Sequence, residues 1–232
     1  MTMIASETLD GQGSFNAWRA EPAGAPRGAI VVIQEIFGVN EGIRCKCDHW
    51  ASLGYLALAP DLFWRLEPGV ELDPDVPEQF QQALGLMQRF DQDKGVADIE
   101  ATIRAARAGL GDGGKVGAVG YCLGGRLAFM TASRTDIDAS IAYYGVGLEG
   151  LTAERHAIAR PLLLHIAGAD HFVTPDKQRL IHDALDDHPK VTIHDYPGVD
   201  HGFATESGKR RSDTAAQLAD SRTEAFFAAQ IG

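Results

Sequence analysis

Lys115-Val116-Gly117-Ala118-Val119-Gly120-Tyr121-Cys122-Leu123-Gly124-Gly125-Arg126-Leu127-Ala128 is the stretch whose reading decides the fold. A short apolar run, a tight turn and a helix start follow one another, with a cysteine at the tip. The pattern G-x-C-x-G is that of a nucleophile elbow carrying a thiol in place of the usual serine hydroxyl. A nucleophile on a strained strand-to-helix turn needs small residues where strand and helix approach closely, here Gly120 and Gly124. The thiol then projects beyond the sheet at the positive end of a helix. A free cysteine is more often a small buried packing residue than a reactive one, so the elbow counts as a site only if partners for it exist elsewhere.

Apolar runs of strand length recur at 29–33, 55–59, 115–119, 139–143, 161–167 and 191–196. Near-continuous apolar character predicts strands buried on both faces. Between them, helical spacing is carried by Ile43, Cys47 and Trp50, by Phe80, Leu84 and Met87, by Val96, Ile99, Ile103 and Ala106, and by the stretch 213–229. Strands alternating with helices predict an α/β fold with a doubly wound, mostly parallel sheet and helices on both faces. Phe15, Ala17 and Arg19 point to an antiparallel edge strand. The segment 61–77, with prolines at 68, 74 and 77, precedes a helix over 78–89 and is expected to form a minimal cap over the site.

At 232 residues the chain suits one core, and a single domain over 1–232 is expected. Lys and Arg number 21 against 32 Asp and Glu, a formal charge of 21 − 32 = −11 without long single-sign runs, which argues against nucleic acid or an anionic membrane as partner. No apolar run approaches a membrane span, and the amino terminus lacks a basic region followed by an apolar stretch, so a cytoplasmic protein is expected. Three cysteines make no disulfide framework and suit a reducing compartment.

A cysteine nucleophile needs a base, and the base needs a group that holds its tautomer. In an open parallel sheet such groups gather beyond the carboxyl ends of the strands. Asp170 follows the run 161–167 and His201 follows 191–196. His171 competes with His201, but it adjoins Asp170 in sequence, and neighbours cannot easily bond side chain to side chain while one also reaches the nucleophile. Asp195 and Asp200 compete with Asp170. His49, His156, His182, His188 and His194 read as helix or strand residues. Cys45 and Cys47 stand two apart on a helix, pointing to nearly opposite sides, with no second pair to complete a metal site. Gly111, Gly113 and Gly114 precede a strand rather than follow one, so no dinucleotide or phosphate loop is expected. No cofactor and no metal are predicted.

Several segments together resemble the dienelactone hydrolases (carboxymethylenebutenolidases) of the α/β-hydrolase superfamily: the Gly120-Tyr121-Cys122-Leu123-Gly124-Gly125 elbow, Gln34-Glu35-Ile36-Phe37-Gly38, Ala59-Pro60-Asp61-Leu62-Phe63, Tyr143-Tyr144-Gly145 and Asp200-His201-Gly202-Phe203. The order Cys122, Asp170, His201 is also the nucleophile, acid, base order of that superfamily. The resemblance runs from about residue 28 to the carboxy-terminal helix. It implies a Cys122-His201-Asp170 triad that opens an enol-lactone or ester through a thioester, with an oxyanion hole from the backbone N–H groups of Ile36 and Leu123. It further implies that Glu35 controls the ionisation of the thiol.

The pocket is expected to draw on Phe37, Phe80, Tyr144, Phe203 and Thr205. Family members that take dienelactone carry an arginine shortly after the histidine, in an H-S-F-A-R run, and another on the helix leaving the cap; both hold the substrate carboxylate. Here the corresponding stretches read His201-Gly202-Phe203-Ala204-Thr205 and Glu78-Gln79-Phe80-Gln81, without arginine. The pocket should be less attractive to anions, unless Arg65, Lys209, Arg210 or Arg211 compensates. The function expected is hydrolysis of lactones or small esters by a monomer or small homo-oligomer. The rival readings are a general carboxylesterase or acyl thioesterase, and a non-catalytic binding protein of the same fold.

Overall fold

A computed structural model describes residues 2–232 of the chain. Its strands are β1 (Thr2–Glu7), β2 (Ser14–Ala20), β3 (Ala29–Ile33), β4 (Leu56–Pro60), β5 (Val116–Tyr121), β6 (Ala139–Tyr143), β7 (Leu162–Ala167) and β8 (Val191–Tyr196), and its α-helices are α1 (Glu41–Ser52), α2 (Pro77–Arg89), α3 (Gln92–Leu110), α4 (Leu123–Arg134), α5 (Pro175–Leu185) and α6 (Asp213–Gln230). The strands form one sheet in the order β1-β2-β4-β3-β5-β6-β7-β8. β1 and β2 are antiparallel to their neighbours, and every pairing from β4 to β8 is parallel.

Every residue of β3 to β7 is buried, as expected of strands covered on both faces. Alternation along β3 shows how the layers divide. Ala29, Val31 and Ile33 pack with Ile99 and Ile103 of α3, Leu127 of α4 and Ile181 of α5. Ile30 and Val32 pack on the opposite face with Ile43, Cys47 and Trp50 of α1 and Ala216, Ala219 and Phe227 of α6. The mostly parallel, doubly wound α/β architecture expected from the sequence is present, with helices on both faces.

The margins of the sheet differ from expectation. The strand containing Phe15 is not an edge, because β1 pairs along its outer side; most side chains of β1 are exposed, so no apolar pattern announces it. β8 is an edge strand only partly buried, and its Val-Thr-Ile-His-Asp-Tyr sequence reflects exposure to water. α5 was not foreshadowed by spacing, since only Ile181 and Leu185 are buried; Pro175 starts it, with its φ already set for a helix. His188 lies in the connection between α5 and β8 rather than in an element.

The segment 61–77 forms no helix or strand before Pro77, yet it is anchored throughout. Leu62, Phe63, Val70 and Leu72 are buried. Asp61 accepts the N–H of Phe63 at 3.1 Å and of Gly69 at 2.7 Å. Arg65 forks onto the buried Asp98, with Nη2 to Oδ1 at 3.0 Å. Residue 71 bridges to Gly38. A Cβ on Gly38 would stand 1.8 Å from the Val70 carbonyl oxygen, and φ is +76°, so glycine alone lets the segment settle there.

Candidate active site

The elbow is built from backbone contacts. Cys122 caps α4 with φ +57° and ψ −114°, a conformation costly for a residue with a side chain. An ideal Cβ on Gly120 would lie 1.9 Å from the Gly124 carbonyl oxygen; one on Gly124 would lie 2.4 Å from the Ile33 carbonyl oxygen; one on Gly125 would lie 2.6 Å from that of Tyr143. Each obstacle is main chain and cannot rotate away. Leu123 opens α4, and the leading N–H groups of a helix have no intrahelical acceptor. Its amide therefore has no acceptor within the helix.

The ends of β7 and β8 bring Asp170 and His201 together, with Asp170 Oδ2 2.8 Å from His201 Nδ1 and both residues 3% exposed. The other Asp170 oxygen accepts the N–H of Phe172 at 2.8 Å and of Val173 at 3.2 Å, which holds the carboxylate still. Among the described residues, His201 Nε2 has no hydrogen-bond partner of its own. Burial opposes the protonated ring, but the charge on the Cys122 sulfur and the hydrogen bond that Nδ1 donates to Asp170 outweigh it and raise its pKa from 6.5 to about 10. The sulfur is thus close enough for its charge to act on the ring. Tyr144 and Phe172 meet the ring edge-on, each at 4.9 Å between centroids.

The competing side chains pair elsewhere. His171 bonds Asp200, with Nδ1 2.8 Å from Oδ1, and Asp195 bonds His182 at 3.1 Å. His165, which carries no motif in the sequence, is buried in β7 between the Tyr196 hydroxyl at 2.8 Å and the Thr223 hydroxyl at 2.9 Å. Burial holds its pKa well below the ordinary histidine range, so it is a neutral core residue. Cys45 is exposed and Cys47 buried, and burial pushes the Cys47 thiol far up.

A cavity of ≈ 320 Å³ opens beside the elbow, with Glu35, Tyr121, Tyr144, Thr205 and Arg210 on its wall and residues 71–75 at its rim. The cap segment therefore does border the site. Cys122 and His201 are not on the cavity wall, and Cys122 is only 8% exposed. Of the expected pocket residues, Tyr144 and Thr205 line the cavity. Phe37, Phe80 and Phe203 do not: Phe37 and Phe203 are buried in the core, and Phe80 packs on Phe37 with ring centroids 5.8 Å apart. Tyr144 has φ +37°, and its buried hydroxyl has no hydrogen-bond partner among the described residues. Burial and then the charge of Glu35 hold its pKa well above the ordinary phenol value.

Of the four basic residues considered as replacements for the absent arginines, only Arg210 reaches the cavity. Arg65 is committed to Asp98, and Arg211 to the Thr205 carbonyl and Asp213. Arg210 lies over the Phe37 ring, with Nη2 3.7 Å from Glu35 Oε2. It crosses Gly202, where a Cβ would stand 2.9 Å from its Nη1. Glycine in the histidine loop and arginine eight residues on thus occupy the site as a matched pair.

A cysteine elbow on a mostly parallel sheet, facing a buried Asp–His pair, defines an α/β-hydrolase-type protein. Comparison with known proteins agrees: the sequence model of the Dienelactone hydrolase family matches residues 15–231, and the chain belongs to that family. It is 47% identical over 222 residues to the "Putative carboxymethylenebutenolidase" of Azospirillum brasilense, covering 95% of each chain. It is 42% identical over 225 residues to the carboxymethylenebutenolidase of Pseudomonas putida, covering 97% of this chain and 95% of that one. The crystal structure of a "Putative Dienelactone Hydrolase" from Klebsiella pneumoniae subsp. pneumoniae superposes with TM-score 0.82 at 28% identity, over 98% of this chain and 99% of the other.

Proposed function

We propose that this member of the family hydrolyses lactones or small carboxylic esters by nucleophilic catalysis at Cys122. The observation that carries the reading is the buried His201–Asp170 bond of 2.8 Å at the mouth of a cysteine elbow whose backbone is strained to φ +57°.

The Cys122 sulfur attacks the carbonyl carbon while His201 stands as an imidazolium, its charge supported by Asp170. Negative charge moves onto the carbonyl oxygen, which the N–H groups of Leu123 and Ile36 receive; donors of this kind contribute about 10²–10³ in rate each. Collapse breaks the carbon–oxygen bond, and the His201 proton goes to the departing oxygen. In a lactone that oxygen remains tethered to the acyl group. The thioester no longer carries the sulfur charge, the principal influence raising the His201 pKa. The neutral ring then takes a proton from water, hydroxide adds to the thioester, and the acid leaves with the thiol restored.

Glu35 lines the cavity, its Oε1 buried without a hydrogen-bond partner among the described residues and its Oε2 3.7 Å from Arg210 Nη2. A substrate carboxylate would compete with Glu35 for Arg210, so carboxylated and uncarboxylated substrates of matched size should be turned over within about tenfold of each other. Preference for a carboxylated lactone by a wide margin would overturn that part. For the reaction itself, Cys122→Ala should lower hydrolysis of nitrophenyl acetate by about 10³-fold or more with the fold retained. Turnover at the parent rate would sink the assignment. Residues 1–232 would act as one domain in the cytoplasm, without cofactor, as a monomer or small homo-oligomer.

A further inference from the structure

Two Asp-His dipeptides, Asp170-His171 and Asp200-His201, close the ends of β7 and β8 and pair crosswise. The buried pair joins Asp170 to His201. The exposed pair joins His171 to Asp200, whose side chains are 59% and 57% exposed. From this geometry we propose that Asp200 is a positioning residue for the hydrolysis: its carboxylate ties the loop after β7 to the loop after β8 and so sets the alignment of Asp170 with His201. The inference rests on the reading that those two residues serve Cys122.

One oxygen makes the tie. Asp200 Oδ1 accepts the backbone N–H of His201 at 2.6 Å and of His171 at 3.0 Å, besides meeting His171 Nδ1 at 2.8 Å. The two amides belong to the base itself and to the residue directly after the acid. A loop aspartate that merely forms its own turn bonds an N–H two residues ahead; here two of the three partners, the amide and the ring of His171, lie 29 positions away in the other loop.

The same two loops are already in register nearer the sheet. Gly168 N–H donates to the Tyr196 carbonyl and Ala169 N–H to that of Val199, both at 2.9 Å. A Cβ on Gly168 would stand 3.0 Å from Pro197 Cα, so the chains touch. Beyond Ala169 the Asp200 carboxylate is what continues the connection. Burial disfavours its charge, but the hydrogen bonds from His171 and from the two amides hold its pKa below the ordinary value, consistent with a carboxylate kept ionised to accept them. The His171 ring adds a second consequence: it lies 3.9 Å from the Phe172 ring, which in turn meets His201. Misplacement of a catalytic group by about 1 Å can cost on the order of 10²-fold in rate, and loss of one anchored loop should produce part of that.

The test compares Asp200→Ala, Asp200→Asn and His171→Ala with the parent, using nitrophenyl acetate. Asp200→Ala should lower kcat about tenfold with KM within about twofold, and should move the alkaline fall of kcat to lower pH because His201 loses part of its support. Asp200→Asn, whose amide oxygen can still accept both backbone N–H groups, should recover most of the rate. His171→Ala leaves those two bonds in place and should cost less than Asp200→Ala. Parent kcat and an unmoved pH profile in Asp200→Ala overturn the proposal, as does a lowered Tm with both kinetic readings unchanged. If Asp200→Ala fails to fold, Asp200→Glu replaces it: the longer side chain displaces the oxygen and must show the same loss and the same pH shift, and parent values there overturn the proposal. An active Cys122→Ala protein would instead remove the triad reading, whereas an inactive one beside parent-like Asp200 variants would remove only the role of Asp200.

Discussion

The elbow and the far wall of the cavity lie side by side but are made differently. The elbow is a contest between main-chain atoms within a few residues and two neighbouring strands: Gly120 against Gly124, Gly124 against Ile33, Gly125 against Tyr143. The wall is assembled from Glu35, residues 71–75 and the loop carrying Thr205 and Arg210, segments separated by long stretches of chain. Backbone crowding permits almost one solution, which is why the elbow follows a short pattern. Side chains delivered by loops can reach the same place from several positions. The stretches 78–81 and 201–205 carry no arginine, while Arg210 stands on the cavity wall.

The largest effect should come from the chemical end. Asp170→Asn should lower kcat by about 10³–10⁴, because the amide holds the wrong tautomer of His201. In the parent, kcat should fall as pH passes about 10, the value to which His201 is raised, and the variant should fall earlier. The linkage has a definite sign. The folded-state pKa of His201 lies above its ordinary 6.5, so the pairing stabilises the fold fully below about pH 6.5 and that contribution is lost as pH rises through about 10. Urea unfolding between those limits should show stability decreasing in the parent and changing less in Asp170→Asn.

Gly124→Ala probes the elbow as backbone. Its Cβ meets a carbonyl oxygen at 2.4 Å, and a loss of about 3 kcal/mol is expected from urea midpoints at constant m. A loss under about 1 kcal/mol would mean that the elbow yields, and the contrast with the wall would weaken. Arg210→Gln probes the wall. It should leave stability near the parent value and lower kcat/KM for a carboxylated ester by about tenfold or less, with little change for its neutral counterpart. Equal losses on both substrates would place Arg210 in the service of Glu35 rather than of the substrate. The smallest effect belongs to a glycine under no constraint: Gly85 lies inside α2 with nothing within 4 Å of its Cβ position, and Gly85→Ala should stabilise by about 0.5–1 kcal/mol.

Much of the fold was readable because strands in a parallel sheet covered by helices are largely apolar, and the six apolar runs became β3 to β8 within a residue or two at their ends. The exceptions are all exposed. β1 lies at the edge of the sheet and α5 buries two side chains, so neither carries a strong period. The site divides along the same line. Cys122, Asp170 and His201 stand at strand ends, where chain order and the sheet constrain them. Phe37 and Phe203, expected at the pocket, lie in the core instead, since an aromatic ring beside a strand end packs inward unless something polar holds it out.

By itself the sequence determined the class of fold, the elbow and the three residues from which a nucleophile, its base and its acid could be chosen, because each is tied to glycine sterics or to the end of an apolar strand. Only the tertiary structure decided how the two Asp-His dipeptides pair, that Arg210 rather than Arg65 or Arg211 faces Glu35, and that the thiol lies behind the cavity wall rather than on it. The dipeptides are identical as sequence, and a guanidinium has equal reach from several loop positions. Through-space distance and burial are what separate them.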